Sequence, residues 1–393
     1  MPLTSFQEAL EVDNVKNVMK IFFALVIFLN VFSISAFASE PESMLPDEVW
    51  EGFEDSVPDE AQKYFEEGAF ENEQEYFESI EEMSTPSAIV AVLLELFGAE
   101  AGATCKLLIL IMGVLIISAV LSVVGEQSEN KTLSAVMRFC SVGALFSSVG
   151  YVFYLHFEAL EDFFARISVF VNGMIPVTAS IWALGGNVST ATAGSATLYC
   201  FLTVFEKLWA ASAIPVFSLI LILGLCDVLC SELKTVRVLG TVKKIYGFFL
   251  GLSMTVLLSS LAAQTTLTAV ADSVSARAGR LVSSTVIPIV GGNLGEALRT
   301  VASSVSYLKN IFGVGGIIII ALIVLPMAIS LLLTRFVFGI CSAFADIIGC
   351  ERESKLLAAF SDAYGCMLAV VCGVGMMFVL SLCIFMKTVV AAA

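Results

Sequence analysis

The sequence predicts an all-α polytopic membrane protein: six full transmembrane helices plus two re-entrant Gly/Pro-broken hairpins in a parallel pseudo-repeat, with an N-terminal signal peptide and an acidic exported segment. Three observations predict it. Of 393 residues, 58% are hydrophobic and 14% charged, and mean hydropathy is +0.93, a balance that no ordinary soluble domain carries on its surface. The net charge of -16 is concentrated: residues 39–86 hold seventeen acidic side chains and the single lysine Lys63, while the remainder is close to balanced. Finally, Ile-Pro followed by Gly-Gly-Asn occurs twice, in "IPVTASIWALGGNVS" from Ile175 and "IPIVGGNLGEAL" from Ile287.

Residues 1–38 read as a signal peptide. Lys20 precedes an apolar run from Ile21 to Phe32, and the small residues Ala36 and Ala38 place cleavage after Ala38. Met19 is the alternative start, because it gives a signal of ordinary length. An uncleaved first span is the other reading, opposed by a run shorter than the ~20 residues a bilayer requires. Residues 39–86 form the acidic extracytoplasmic segment. Its Trp50, Phe53 and Val57, and its Tyr76, Ile80 and Met83, have the spacing of short amphipathic helices. A purely solvated tail would rarely keep so many rings. The rings therefore predict docking, to a partner through Trp50, Phe53 and Tyr64 or to the protein's own outer face, with a disordered tether as the alternative.

Six runs are long enough to cross: Leu107–Val124, Val136–Leu155, Ile214–Cys230, Gly247–Ala263, Gly313–Leu333 and Cys366–Met386. The first two make up the unit 87–166. Basic residues retained inside set the orientation, and the strongest basic loop holds Lys234, Arg237, Lys243 and Lys244. This parity requires that the chain between Arg166 and Ala213 make no net crossing. A hairpin broken at Gly173, Pro176, Gly185 and Gly186 meets the requirement, since irregular backbone at membrane depth is tolerated only where protein or a water-filled cavity satisfies it. The same pattern opens the second copy, so residues 167–271 and 272–393 read as two pseudo-repeats, each a re-entrant hairpin plus two spans. Both hairpins enter from one side, which makes the repeat parallel.

Broken segments at matching positions in two halves point to a midplane cavity. The candidate pore or cavity residues are Pro176, Gly185, Gly186, Asn187, Pro288, Gly291, Gly292 and Asn293. Ordinary close helix packing by small residues is the competing explanation. No zinc-protease, nucleophile-elbow, phosphate-loop or EF-hand motif occurs, so neither catalytic nor metal residues nor a cofactor are assigned, and an enzyme is not expected. His156, the only histidine, falls at a predicted outer boundary. Cys226 and Cys230 share a helix face but lack further ligands and read as small buried apolar residues. Glu206 and Lys207 read as an interfacial pair, and Asp227 as capping or snorkelling near the end of its span. The balanced membrane part offers no basic surface to nucleic acid, leaving the lipid bilayer and other proteins as partners.

The stretches "IPVTASIWALGG", "TVIPIVGGNLGEALRTVASSVSYLKNIFGVGGIIIIALIVLPMAISLLL" and "GMMFVLSLCIF" resemble the stage III sporulation protein AE family of endospore-forming bacteria, over roughly residues 88–393. The resemblance implies a non-enzymatic subunit of the channel or export complex in the mother-cell membrane facing the forespore. Its partners would be an ATPase, other membrane subunits and ring-forming proteins, with a homo-oligomer also open. The acidic segment would then face the intermembrane space. The alternative from another class is a stand-alone secondary transporter of a small solute, binding at the Gly-Gly-Asn hairpins.

Overall fold

A computed structural model describes residues 45–387, apart from 67, 128–130, 186–194, 230–236, 257, 258, 260–262 and 264–290. Three short helices come first: α1 (Asp47–Glu54), α2 (Asp59–Gln62) and α3 (Glu73–Met83). Long helices follow: α4 (Pro86–Gln127), α5 (Lys131–Leu184), α6 (Ser195–Leu229), α7 (residues 237–256), α8 (Gly291–Ile347) and α9 (Glu351–Lys387). Five of these, all but α7, are long and apolar enough to cross a membrane.

Contacts between them define an alternating up-and-down bundle. On α5, Ser141 lies beside Glu353 and His156 beside Tyr364, so α5 and α9 run parallel. On α4, Glu100 lies beside Ser330 of α8 and Ser118 beside Glu353 of α9, so α4 runs with α8 and against α9. Gly224 of α6 abuts Ala359, and in α7 Lys243 pairs with Asp362 and Leu250 meets Gly373. Helix α9 is thus the central strut.

The acidic segment is ordered into a cap on one half of this bundle. Pro46 and Pro58 precede α1 and α2, and acidic residues fill both first turns, where the helix dipole favours negative charge. Asn72 caps α3 by accepting from the Glu75 N–H. The rings point inward: Phe53, Tyr76 and Ile80 have no exposed surface, and Trp50, Phe65, Phe70 and Phe77 are buried. The carboxylates of Asp47, Glu48, Glu51, Asp55, Glu75, Glu78 and Glu82 point outward. At the opposite end of the bundle lie Arg237, Lys244, Arg352 and Lys355. Exposed large apolar side chains gather in that same half: Ile109, Ile116, Ile117 and Val120 on α4, Phe139 and Tyr151 on α5, Phe248 and Phe249 on α7, Phe336 and Ile347 on α8.

Two expectations are revised. The run 167–184, expected to dip and return, instead continues the second predicted span as one 54-residue helix. At 1.5 Å per residue it rises about 81 Å, against ~30 Å of hydrocarbon. Pro176 lies on an exposed face of α5, where the carbonyl it leaves unbonded can turn outward without breaking the helix. The stretch from Gly313, expected to be a span facing lipid, is sheathed by protein: Ile311 to Ile323 are all buried. A run that is apolar all round says only that it is covered, by lipid or by neighbouring helices. The fourth predicted span lies only partly within the described residues, and the signal peptide outside them.

Candidate functional site

The cap is positioned by glycines on the helices beneath it. A Cβ built on Gly173 of α5 would lie 2.2 Å from the Ser56 Cβ and hydroxyl, and one on Gly315 of α8 would lie 2.0 Å from the Tyr76 hydroxyl. Both positions need hydrogen in place of a side chain. Around them the aromatic rings interlock: Phe53 lies 5.6 Å from Phe312 and 6.4 Å from Phe170, and Tyr76 lies 5.4 Å from both Phe53 and Phe312. Such pairs add about 0.5–1.5 kcal/mol each beyond area burial. Trp50 Nε1–H donates to the Phe70 carbonyl, and buried Glu73 accepts from the Leu45 N–H. Burial pushes the Tyr76 phenol far above its ordinary range, and its hydroxyl has no hydrogen-bond partner among the described residues.

The link between α1 and α2 carries the cap's edge over a cavity of about 360 Å³. Pro58, Glu60 and Ala61 form its rim, and Arg166 of α5 reaches Glu60 at 3.0 Å. Phe163, Leu322 and Met327 supply apolar wall. At its polar side four helices converge. His156 Nδ1 lies 2.8 Å from the Val152 carbonyl and 3.1 Å from the Tyr364 hydroxyl of α9, while Nε2 lies 3.3 Å from the Ser330 hydroxyl of α8. The same hydroxyl lies 2.9 Å from Glu100 Oε2 of α4. Pro326 lies in α8 one turn before Ser330 and lines the cavity. A polar chain is thereby drawn across α4, α5, α8 and α9 beside an accessible hollow, an arrangement able to bind a small polar ligand or relay a proton.

A second polar knot lies towards the basic end. Buried Glu353 accepts hydrogen bonds from Ser118 at 2.5 Å and Ser141 at 2.6 Å, joining α9 to α4 and α5. It has no cavity beside it and acts as a brace.

The residues singled out from sequence fall in several places. Trp50 and Phe53 are covered by the chain's own helices, so their surface is already occupied; Tyr64 is half-buried, with burial and then Glu95 raising its phenol pKa. Pro176 is exposed on α5 and Gly185 is buried just beyond its end. Gly291, Gly292 and Asn293 open α8. Gly186, Asn187 and Pro288 lie outside the described residues. Glu206 and Lys207 do not form the expected interfacial pair: Glu206 is buried and hydrogen-bonded with Ser168, and Lys207 faces out, because neighbours in a helix point about 100° apart. Cys226 is half-buried. Glu100, Ser330 and Tyr364 were not singled out, and the chain separations of 174, 208 and 230 residues that join them leave no local signal. His156 carried a signal, as the chain's one histidine.

Comparison with known proteins adds a family. The model of the family described as Stage III sporulation protein AE matches residues 71–389. A curated relative, Stage III sporulation protein AE of Bacillus subtilis (strain 168), is 22% identical over 276 residues, covering 69% of this chain and 69% of the relative. No solved structure matches.

Proposed function

Because the chain belongs to the stage III sporulation protein AE family, we propose that it serves as a non-enzymatic integral membrane subunit of the channel or export complex through which the mother cell supports the forespore. The family match, running from the cap's last helix through the whole helical bundle, is the observation that carries this reading. In it, the belt of exposed apolar side chains meets lipid, the basic end lies in the mother-cell cytoplasm as retained lysine and arginine favour, and the cap faces the intermembrane space. The cap's rings are consumed in its own docking, so what it offers to neighbouring subunits is a surface of carboxylates. A basic face on a partner subunit complements it, steering association more than adding affinity.

The test is recovery of the complex from sporulating cells. Full-length protein carrying Glu48→Lys, Glu51→Lys and Asp55→Lys, three exposed changes on α1, should insert normally but lose partner subunits and spore yield. Unchanged partner recovery and sporulation would remove the cap from the assembly surface. A purified wild-type chain that moved a solute unaided in vesicles would overturn the subunit reading altogether.

A further inference from the structure

The hydrogen bonds around His156 close only when one extra proton is counted. The Val152 carbonyl can only accept, so Nδ1 carries a hydrogen and donates it across 2.8 Å, with the Tyr364 oxygen sharing that donor at 3.1 Å. Nε2 remains, facing the Ser330 hydroxyl, which in turn faces Glu100. With Glu100 ionised and His156 neutral, the serine has an acceptor on both sides and one hydrogen to give. One contact is then left without a donor. A single added proton repairs this in either of two ways. Placed on the ring, Nε2–H donates to Ser330, whose hydroxyl donates to the Glu100 carboxylate. Placed on the carboxyl, Glu100 O–H donates to Ser330, whose hydroxyl donates to Nε2. The two differ by reversal of the serine hydroxyl and transfer of one proton along it.

We infer that Glu100, Ser330 and His156 form a one-proton binding site, filled from the adjacent cavity, that ties α4, α5 and α8 together and reaches α9 through Tyr364. The surrounding charges leave this site to itself. Glu60 and Arg166 at the rim pair with each other, Asp362 of α9 pairs with Lys243 of α7, and Arg335 of α8 lies against Gly365 on the far side of Tyr364. Loaded, the site is neutral in total. Empty, it leaves one uncompensated negative charge in a partly buried place, which low polarity disfavours. In the unfolded chain the same two groups ionise separately, near pH ~4.3 and ~6.5. The folded chain therefore holds the shared proton to higher pH than the unfolded chain does. The resulting stability is fully present on the acid side of that range and is lost as pH rises. Within the window the folding equilibrium changes about tenfold per pH unit for one proton. The site stands independently of the subunit reading, since its test uses no partner.

The experiment uses full-length protein in lipid nanodiscs, purified through a tag without histidine. Because the chain has one histidine, ¹⁵N-histidine labelling reports a single imidazole. As pH is raised, Nδ1 should stay protonated while Nε2 alone changes state. In Glu100→Gln the amide donates to Ser330 and the serine to Nε2, copying the loaded arrangement without a titrating carboxyl. This variant should hold Nε2 as an acceptor throughout and lose the wild type's fall in melting temperature with rising pH. Ser330→Ala, which interrupts the chain, should return the imidazole to titration independent of Glu100. Titration at Nδ1, or the same Nε2 titration in wild type and Glu100→Gln, would overturn the shared site. If Glu100→Gln does not fold, the same spectra of wild type and Ser330→Ala decide it: identical titrations refute the site.

Discussion

Replacing Gly315 by alanine tests whether the cap is held by ring packing. The new methyl would stand 2.0 Å from the Tyr76 hydroxyl oxygen, 2.8 Å from its Cζ and 2.9 Å from Ile80 Cδ1. Tyr76 cannot step aside, because Trp50, Phe53, Phe70, Phe77 and Phe312 surround it at centroid distances of 5.4–6.2 Å. Overpacking of this kind costs about 1–3 kcal/mol, with a locked ring at the upper end. The gain in helix propensity on α8 returns about 1 kcal/mol. The balance, about 2 kcal/mol against docking, predicts a roughly thirty-fold larger undocked population. Tyr76→Phe should restore most of this by deleting the nearest clashing atom, while Cζ and Ile80 keep the rescue incomplete. Alone, Tyr76→Phe should not weaken docking, since that hydroxyl has no hydrogen-bond partner among the described residues. Cleavage within α3 by a glutamyl-specific protease reads the undocked population when reclosing is fast. Gly315→Ala cleaved as slowly as wild type, or unaffected by adding Tyr76→Phe, would refute the reasoning.

Cysteines placed at Glu82 and Lys355 in a cysteine-free background should be labelled from opposite sides of the membrane; labelling of both from outside would break the proposed orientation. Glu353→Ala orphans two buried hydroxyls, at about 1–3 kcal/mol each, and should lower the melting temperature in detergent, whereas adding Ser118→Ala and Ser141→Ala should recover part of the loss. Phe53→Ala, at about 3–5 kcal/mol for a buried ring, should expose α3 to protease far more than Arg166→Ala, which removes a surface ion pair worth ~1 kcal/mol or less. The reverse order would mean that charge, not packing, holds the cap.

The helical class and the cap were legible because each rests on a local signal. Ring spacing at Trp50, Phe53 and Val57, and at Tyr76, Ile80 and Met83, marks faces that the structure buries or half-buries. Composition marked the apolar helices. What covers each one was not legible, because lipid and protein select the same side chains; thus Ile317 to Ile320 read like a span and are sheathed by neighbours. Repetition also drew the reading of glycine to the Gly-Gly-Asn pairs, whereas the close approaches on α8 belong to Gly313, Gly315 and Gly316, which admit Met386, Tyr76 and Leu382. A glycine at a helix crossing has no sequence signature until its opposite number is known. The polar chain at His156 was hidden for the same reason: its members come from four helices.

The cap's two kinds of residue perform separable tasks. Its rings and glycine contacts lie on one side and supply the interactions that survive salt, whereas the Glu60 bridge to Arg166 is half-exposed and screened. Arg166 also has Asp162 one turn away on its own helix, at 4.0 Å, so releasing Glu60 does not strand its charge. The edge formed by Pro58, Glu60 and Ala61 is therefore the part of the cap least firmly held, and it is the part that rims the cavity. Access to Glu100 and His156 can then change by local movement of that edge while the Phe53 and Tyr76 cluster stays docked. A partner that binds the outward carboxylates of α1 pulls on the same short link, and that gives the intermembrane side a mechanical path to the buried polar chain.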